Sequence, residues 1–346
     1  MGAEIGQLIE GRKVSLNEIS GRIFAVDAYN AIYQFLSSTR QADGTPLMNS
    51  EGKVTGHLAG IFYRNSKLIE NGIRVVYVFD GRPPDFKERT MEERRKVREE
   101  AEENWKDAIE RGEVDEARKY AQAANELTKE MVEDSKKLLE YMGIPFIQAP
   151  SEGEAQAAEM ARNGLVYAVA SQDADSLLFG APRLLRNLSI TGRRKVPRKD
   201  EYVLVEPEVV ELEEILRKNG LSRKKLIWLG ILVGTDFNKG IKGIGVKKGL
   251  KIVRQSESLE KVKTYVEREL KASFDEDVFA IENFFLNPPV IKEIELKFGV
   301  ADRDNLEKFL CEKHDFSPER VRKTAESLIK SQQIKGKQTE LSGWFE

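Results

Sequence analysis

Six carboxylates stand where short apolar runs end, and oxygen donors gathered that way have the chemistry of a divalent-cation site. Glu152 and Glu154 open an alanine-rich helical stretch, read as starting at Ser151 and stopping near Gly164. The apolar run Val166 to Ala170 follows, the pattern of a buried parallel strand, and its end delivers Asp173 and Asp175. Arg22-Ile-Phe-Ala-Val-Asp27 and Arg74-Val-Val-Tyr-Val-Phe-Asp80 repeat the pattern, and Ile144-Pro-Phe-Ile-Gln-Ala leads into Glu152. Carboxylates held close repel one another unless cations sit between them. Hard oxygen ligands without cysteine or histidine suit Mg²⁺ or Mn²⁺. Each acid alone also has an ordinary reading: Ser151 and Glu154 fit a capping box, Asp173 a turn, Asp175 a helix N-cap. Acids at four separate strand ends, on the edge where open α/β sheets bind ligands, favour the metal site over four unrelated turns.

The elements that must carry these acids alternate between strand and helix. The reading is an α/β fold with a mostly parallel central sheet flanked by helices. Ala28 to Ser38 reads as an apolar helix with Tyr33 near its middle, and His57 to Glu70 as an amphipathic one. Residues 85–137 are strongly charged and helical in propensity, with Lys87, Arg89, Arg94, Arg95, Lys96 and Arg98 concentrated in the first part. A solvated helical hairpin with i,i+4 pairs explains such a run. Because it emerges directly after Asp80, its basic first turns also stand over the carboxylate edge, where they could hold a phosphodiester.

A second basic stretch lies further on. Between Phe237 and Ser256 there are six basic residues and no acids: Lys239, Lys242, Lys247, Lys248, Lys251 and Arg254. Within it, Gly240-Ile-Lys-Gly243-Ile-Gly245-Val-Lys-Lys-Gly has the pattern of a helix–hairpin–helix turn. Glycines let a backbone approach phosphate, N–H groups face it, and lysines add charge; the alternative is a plain helical hairpin. Such binding would be sequence-independent. A basic loop around Gly192-Arg-Arg-Lys pairs as a hairpin with Tyr202-Val-Leu-Val. Helices then run from Ser258 to Ile334 with a break at Pro288-Pro289, and Ser317 caps the last. Composition shifts at Ser331. The polar end carries Gln338, Leu341, Trp344 and Phe345, which suit another protein's apolar pocket better than packing back on the same domain.

Composition bounds the rest. With 346 residues, 40% hydrophobic, the chain can bury one large core or two modest ones. The net charge of −2 does not announce a nucleic-acid binder, so local patches must do that work. One cysteine, Cys311, excludes intrachain disulfides and fits a reducing compartment; its apolar neighbours place it in a core. Two histidines, His57 and His314, are too few for a typical zinc site. No apolar run approaches the ~20 residues of a membrane span, and no signal peptide is legible at the start.

Taken together, Ala25-Val-Asp27-Ala, Val78-Phe-Asp80-Gly-Arg-Pro-Pro, Ala149-Pro-Ser-Glu152-Gly-Glu154-Ala-Gln-Ala, Ser171-Gln-Asp173-Ala-Asp175-Ser-Leu-Leu-Phe-Gly and Gly234-Thr-Asp236-Phe closely resemble the archaeal flap endonucleases, structure-specific 5′ nucleases. The resemblance spans nearly the whole chain. It implies that Asp27, Asp80, Glu152 and Glu154 mainly hold one Mg²⁺, and Asp173, Asp175 and Asp236 a second, with Mn²⁺ able to substitute. Asp236 enters only through the resemblance; read alone, Gly-Thr-Asp after a helix is a C-cap and turn. Lys87 and Arg94 would grip the scissile phosphate, and Tyr33 would stack on a nucleobase. Residues 85–141 would form a gateway and arch for a 5′ single strand. Lys239, Lys242, Gly243, Gly245, Lys247 and Lys248 would contact duplex DNA, with K⁺ on the carbonyls of Gly240, Ile241 and Ile244. The segment Gly2 to Gly6 would lie near the site, and Gln338, Leu341, Trp344 and Phe345 would dock on the sliding clamp of replication.

The implied organisation is a single nuclease domain over 1–330, made of an N-terminal part (1–84), the arch (85–141), an internal part (142–256) and C-terminal helices (257–330). A flexible tail, 331–346, would carry the clamp motif. The implied protein is a monomer in an archaeal cytoplasm, associated with the nucleoid, cutting branched DNA in replication and repair. A metal-dependent phosphatase would explain the acids but not the arch or hairpin. A non-catalytic junction-binding protein would explain the basic turn but leave the acids without a role.

Overall fold

Alternation along the central strands dictates two hydrophobic cores, one on each side of a sheet. The computed structural model describes residues 5–41, 45–111, 113, 116, 120, 127–190, 192–195 and 202–342. Its strands are β1 (Arg12–Lys13), β2 (Ile23–Asp27), β3 (Arg74–Phe79), β4 (Phe146–Gln148), β5 (Ala168–Ala170), β6 (Arg183–Arg186), β7 (Gly192–Lys195), β8 (Tyr202–Val205) and β9 (Glu208–Glu211). Seven form one sheet in the order β1-β9-β6-β5-β2-β3-β4, and β7 and β8 make the separate hairpin expected from the basic loop. The run β6-β5-β2-β3-β4 is parallel throughout. Strand β9 joins β6 and β1 antiparallel.

The helices are α1 (Ala28–Ser38), α2 (Gly56–Glu70), α3 (Glu88–Glu110), α4 (Lys129–Tyr141), α5 (Gly153–Arg162), α6 (Asp175–Leu178), α7 (Leu212–Asn219), α8 (Arg223–Val233), α9 (Val246–Gln255), α10 (Leu259–Glu269), α11 (Val278–Leu286), α12 (Arg303–Glu307) and α13 (Pro318–Ser342). Ala25, Val76, Val78 and Val169 face one core with the buried sides of α5 to α11. Phe24, Val26, Tyr77, Phe79 and Ala170 face the other, with α1, α2, α4, α12 and α13. Period-two strands under period-3.6 helices thus give three layers.

The Pro288-Pro289 break is longer than the sequence suggests. Residues 287–302 run without regular structure from α11 to α12. Val290, Ile294 and Leu296 pack on the first core, whereas Ala301 joins the second, so the segment crosses the sheet edge. At the crossing Gly299 N–H donates to the Gly143 carbonyl at 2.9 Å. A Cβ on Gly143 would lie 2.5 Å from the Gly299 carbonyl, so the two backbones touch.

The expected boundary at 331 falls inside α13. There Gln332 accepts from Ala301 N–H and donates to the Met142 carbonyl, both at 2.9 Å, which fastens the helix to the body where composition suggested a tail. Gly2 and the side chains of Gln338, Leu341, Trp344 and Phe345 lie outside the described residues. Cys311 is half-buried rather than interior, in a π-helical turn over Lys308–Glu312.

Both histidines are buried in one place, where α2 and α4 meet the segment after Glu312. His57 is 1% exposed, and neither of its ring nitrogens has a hydrogen-bond partner among the described residues. His314 Nε2 lies 3.6 Å from Asp134 of α4, whose other oxygen takes Lys313 at 2.7 Å. Burial lowers the His57 pKa to about 4, against the pull of Asp134, so the ring is neutral in the fold.

Candidate active site

Four neighbouring parallel strands end on one edge and bring their acids together. Asp27 is the last residue of β2 and also the N-cap of α1, accepting from the Asn30 backbone N–H at 3.0 Å. Asp80 follows β3 directly, and its Oδ1 accepts from Gly153 N–H at 2.6 Å. Glu152 and Glu154 enter from β4, and Asp173 and Asp175 from β5.

The capping box read at Ser151 does not form. Helix α5 begins at Gly153, with Glu152 in the cap position and no side-chain cap bond. Ser151 instead lends its carbonyl to Gly81 N–H at 2.6 Å. Asp175 is likewise the first residue of α6, with Ala174 as its cap. These acids are therefore left to face one another. The two acid-bearing turns approach this closely because each carries a glycine: a Cβ on Gly81 would meet the Ala149 carbonyl at 2.1 Å, and one on Gly153 would meet Asp80 Oδ1 at 2.8 Å.

Asp236 arrives from a different direction, on the loop after α8. Thr235 N–H donates to the Asn238 carbonyl at 2.9 Å, Thr235 and Asn238 side chains meet at 2.8 Å, and the Asn238 amide reaches back to the Ile231 carbonyl at 2.7 Å. Phe237 anchors the same loop. It packs edge-on against Phe86 at 5.4 Å, Phe284 at 5.2 Å and Phe285 at 5.2 Å. Such pairs contribute roughly 0.5–1.5 kcal/mol each beyond area burial. Phe86 precedes Lys87, so one aromatic cluster fixes both the loop of Asp236 and the root of α3.

Lys87 then reaches into the carboxylates. Its Nζ lies 2.5 Å from Glu152 Oε2, 4.0 Å from Asp236 Oδ2 and 5.6 Å from the Phe237 ring centre. Burial pulls the Lys87 pKa down, but Glu152, Asp80 and Asp236 outweigh it and the net direction is up. One ammonium does not balance this many acids. Burial, and then the charge of Asp80, pushes the Asp27 carboxyl up to about 8. Burial also raises Asp80 and Glu152, partly offset in each by Lys87. Glu154 is raised well above the usual carboxylate range by burial and then by Asp175, Asp27, Asp173 and Asp236. Each of the seven expected acids is therefore within electrostatic reach of at least one other.

Buried carboxylates that hold protons for want of positive charge exchange them for a divalent cation, so the donor set fits such an ion. Among the described residues no three His, Cys, Asp or Glu side chains close on one point as a finished coordination shell. The fit rests on donor chemistry: hard oxygens, no sulfur or imidazole, and excess buried negative charge.

The other expected residues fall around this cluster. Tyr33 on α1 is half-buried, with the Arg98 guanidinium of α3 5.5 Å over its ring. The side chain of Arg94 lies outside the described residues. Lys239 pairs with Glu93 of α3 at 2.6 Å, which ties the glycine-rich turn to that helix. Lys242, Gly243, Gly245, Lys247 and Lys248 are exposed at the start of α9. Of the three carbonyls considered for K⁺, that of Ile241 already accepts from Ile244 N–H at 2.9 Å.

Sequence reasoning passed over Asn30 and Ser171. Ser171 is buried; its hydroxyl lies 3.5 Å from Asp27 and 3.4 Å from Glu154 and accepts from Asp173 N–H at 3.2 Å. The Asn30 amide donates to Asp173 Oδ2 at 3.0 Å. The available signal was positional: Asn30 is three residues after a capping Asp, and Ser171 two before Asp173.

Comparison with known proteins gives a consistent picture. Residues 4–101 match the XPG N-terminal domain and residues 143–236 the XPG I-region. The chain is 56% identical to flap endonuclease 1 of Pyrococcus furiosus, over 100% of this chain and 99% of that protein. Flap endonuclease-1 from Methanococcus jannaschii superposes with a TM-score of 0.75 at 39% identity, covering 96% of this chain and 100% of that one. The catalytic core of Rad2 in complex with DNA substrate superposes at 0.69 with 26% identity, covering 95% and 100%.

Proposed function

The chain belongs to the flap endonuclease family, and from that premise we propose that Asp27, Asp80, Glu152, Glu154, Asp173, Asp175 and Asp236 hold two Mg²⁺ ions, with Mn²⁺ able to substitute. The enzyme is a structure-specific flap endonuclease, a metal-dependent phosphodiester hydrolase of DNA replication and repair. One observation carries the metal reading: six acids gather at one sheet edge, Asp236 joins them from the loop after α8, and Lys87 alone does not balance them.

When bound, paired ions supply Lewis-acid stabilisation to the attacking and leaving oxygens of an in-line displacement. Lys87 adds charge where the phosphodiester becomes more negative, with Arg94 as its partner on α3. Tyr33 offers a stacking face for a base displaced from the duplex end, which offsets part of the unstacking cost. Lys239, Lys242, Lys247 and Lys248, with Gly243 and Gly245, hold the duplex backbone without reading sequence. The carbonyls of Gly240, Ile241 and Ile244 would hold a K⁺ ion that supports that contact. Gln338, Leu341, Trp344 and Phe345 dock on a sliding clamp. The enzyme acts as a monomer in the cytoplasm, at the nucleoid; among the described residues no helix is long and apolar enough to cross a membrane.

The test is cleavage of a double-flap DNA in Mg²⁺, comparing the intact chain with Asp175→Ala and with EDTA. Junction cutting lost in both controls, with binding retained in the variant, supports the reading. Cleavage that survives EDTA, or full activity in Asp175→Ala, overturns the metal assignment.

A further inference from the structure

We infer that Asn30 is a positioning residue of the carboxylate cluster: it sets the spacing of Asp27 and Asp173 and thereby the cluster's affinity for a divalent cation. The inference rests on the reading of those two acids as metal ligands.

Three bonds converge on this one residue. Its backbone N–H donates to Asp27 Oδ1 at 3.0 Å. Its side-chain amide donates to Asp173 Oδ2 at 3.0 Å. Its side-chain carbonyl accepts from Gln172 N–H at 3.4 Å, which fixes the loop that carries Asp173. Asp27 and Asp173 lie on neighbouring strand ends, β2 and β5 being paired through Val26 and Ala170. Like charges at that spacing repel, and burial together with Asp80 and Asp173 already pushes Asp27 upward. A neutral residue that donates to both carboxylates holds them together without neutralising either, so both remain available to a cation.

Asparagine meets this requirement where other side chains do not. A lysine would bring a competing charge, and an aspartate would offer an acceptor against an acceptor. Partners that orient metal-binding carboxylates are typically worth 10–100-fold in metal affinity. Behind the amide lies a small cavity lined by Asn30, Asn65, Tyr77, Ser171, Gln172 and Ser189, with room for about one water. Asn30→Ala enlarges that space and leaves room for a water in place of the amide. Asn30→Leu keeps the volume and removes both side-chain bonds.

The experiment uses the full chain and Mn²⁺ alone, with free ion followed by electron paramagnetic resonance and thermal melting in EDTA as the control of fold. Asn30→Leu is expected to weaken Mn²⁺ binding about tenfold, and Asn30→Ala less. Half-maximal cleavage of flapped DNA should need correspondingly more Mg²⁺, with the rate recovering at saturation. In an Asp173→Asn background, Asn30→Leu should add nothing. Unchanged Mn²⁺ binding in a folded Asn30→Leu overturns the inference. So does an additive effect in the double variant, which places the action elsewhere than Asp173. Loss of cooperative melting in both Asn30 variants makes the residue a structural one, which also overturns it. If Asp173→Asn alone leaves Mn²⁺ binding intact, the metal assignment fails first, and the inference falls with it by a separately readable route.

Discussion

Replacing His57 by glutamine should flatten the acid side of the stability curve. The imidazole is buried without a hydrogen-bond partner among the described residues and titrates at about 4 in the fold. In the unfolded chain it takes its proton near the ordinary 6.5. The unfolded state therefore binds the proton first, and stability falls as pH drops through 6.5 towards 4; above about 7 this residue has no effect. At roughly 1.36 kcal/mol per pH unit the gap amounts to about 3 kcal/mol in full, of which about 2 kcal/mol is already expressed at pH 5. Other groups contribute with either sign. Asp27, raised to about 8, makes the metal-free fold more stable as pH falls, and His314 is lowered like His57. Those contributions remain in His57→Gln, so the difference between the two proteins isolates the ring. Urea unfolding at pH 8, 6 and 5 in EDTA measures it. The variant should lose about 2 kcal/mol less than the parent between pH 8 and pH 5. Equal losses would show that His57 takes its proton as readily in the fold as in the unfolded chain, and would refute the reasoning.

Three further expectations follow from the site. Lys87→Met should lower single-turnover cleavage about 10²–10³-fold while leaving double-flap binding in Ca²⁺ within a few-fold, since the ammonium is placed for developing charge. Phe237→Ala removes the shared partner of Phe86, Phe284 and Phe285, and should cost roughly 3–5 kcal/mol in denaturant unfolding; a loss below about 1 kcal/mol would mean the cluster does not anchor the loop of Asp236. Gly240→Ala puts a Cβ 2.5 Å from the Gly234 nitrogen at a φ of 70°, so it should destabilise by roughly 1–3 kcal/mol and weaken duplex binding in a filter assay.

The strand-end acids were legible because two regularities coincide there. Short apolar runs mark buried parallel strands, and sheets of that kind bring their C-terminal ends to one edge. The placement of Asp236 was not legible from local pattern. Its loop is held by Thr235, Phe237 and Asn238, whose partners lie on α8, α11 and the turn before α3. Ser151 illustrates the opposite error. The S-x-x-E spacing is present, yet Ser151 is held by Gly81 in a contact 70 positions back in the chain, and a pairing so distant overrides a local cap. The shift at Ser331 is one of composition, which carries no sign that Gln332 meets Ala301 and Met142.

The extended crossing at 287–302 also sets an order of events during synthesis. Every fully buried member of the first core precedes it in the chain, whereas the second core is completed by Leu306, Phe309, Leu310, Val321, Ala325 and Leu328. Phe24 and Val26, on the strand that ends in Asp27, belong to the same second core. A nascent chain released only as far as Pro289 should therefore hold one finished face of its sheet and one greasy one. Such a fragment is expected to bind a hydrophobic dye and to lack tight Mn²⁺ binding, whereas a fragment that already binds the ion as the full chain does would show that the edge matures without its last cover. Nuclease competence would then arrive only once residues 306–328 have been made and packed.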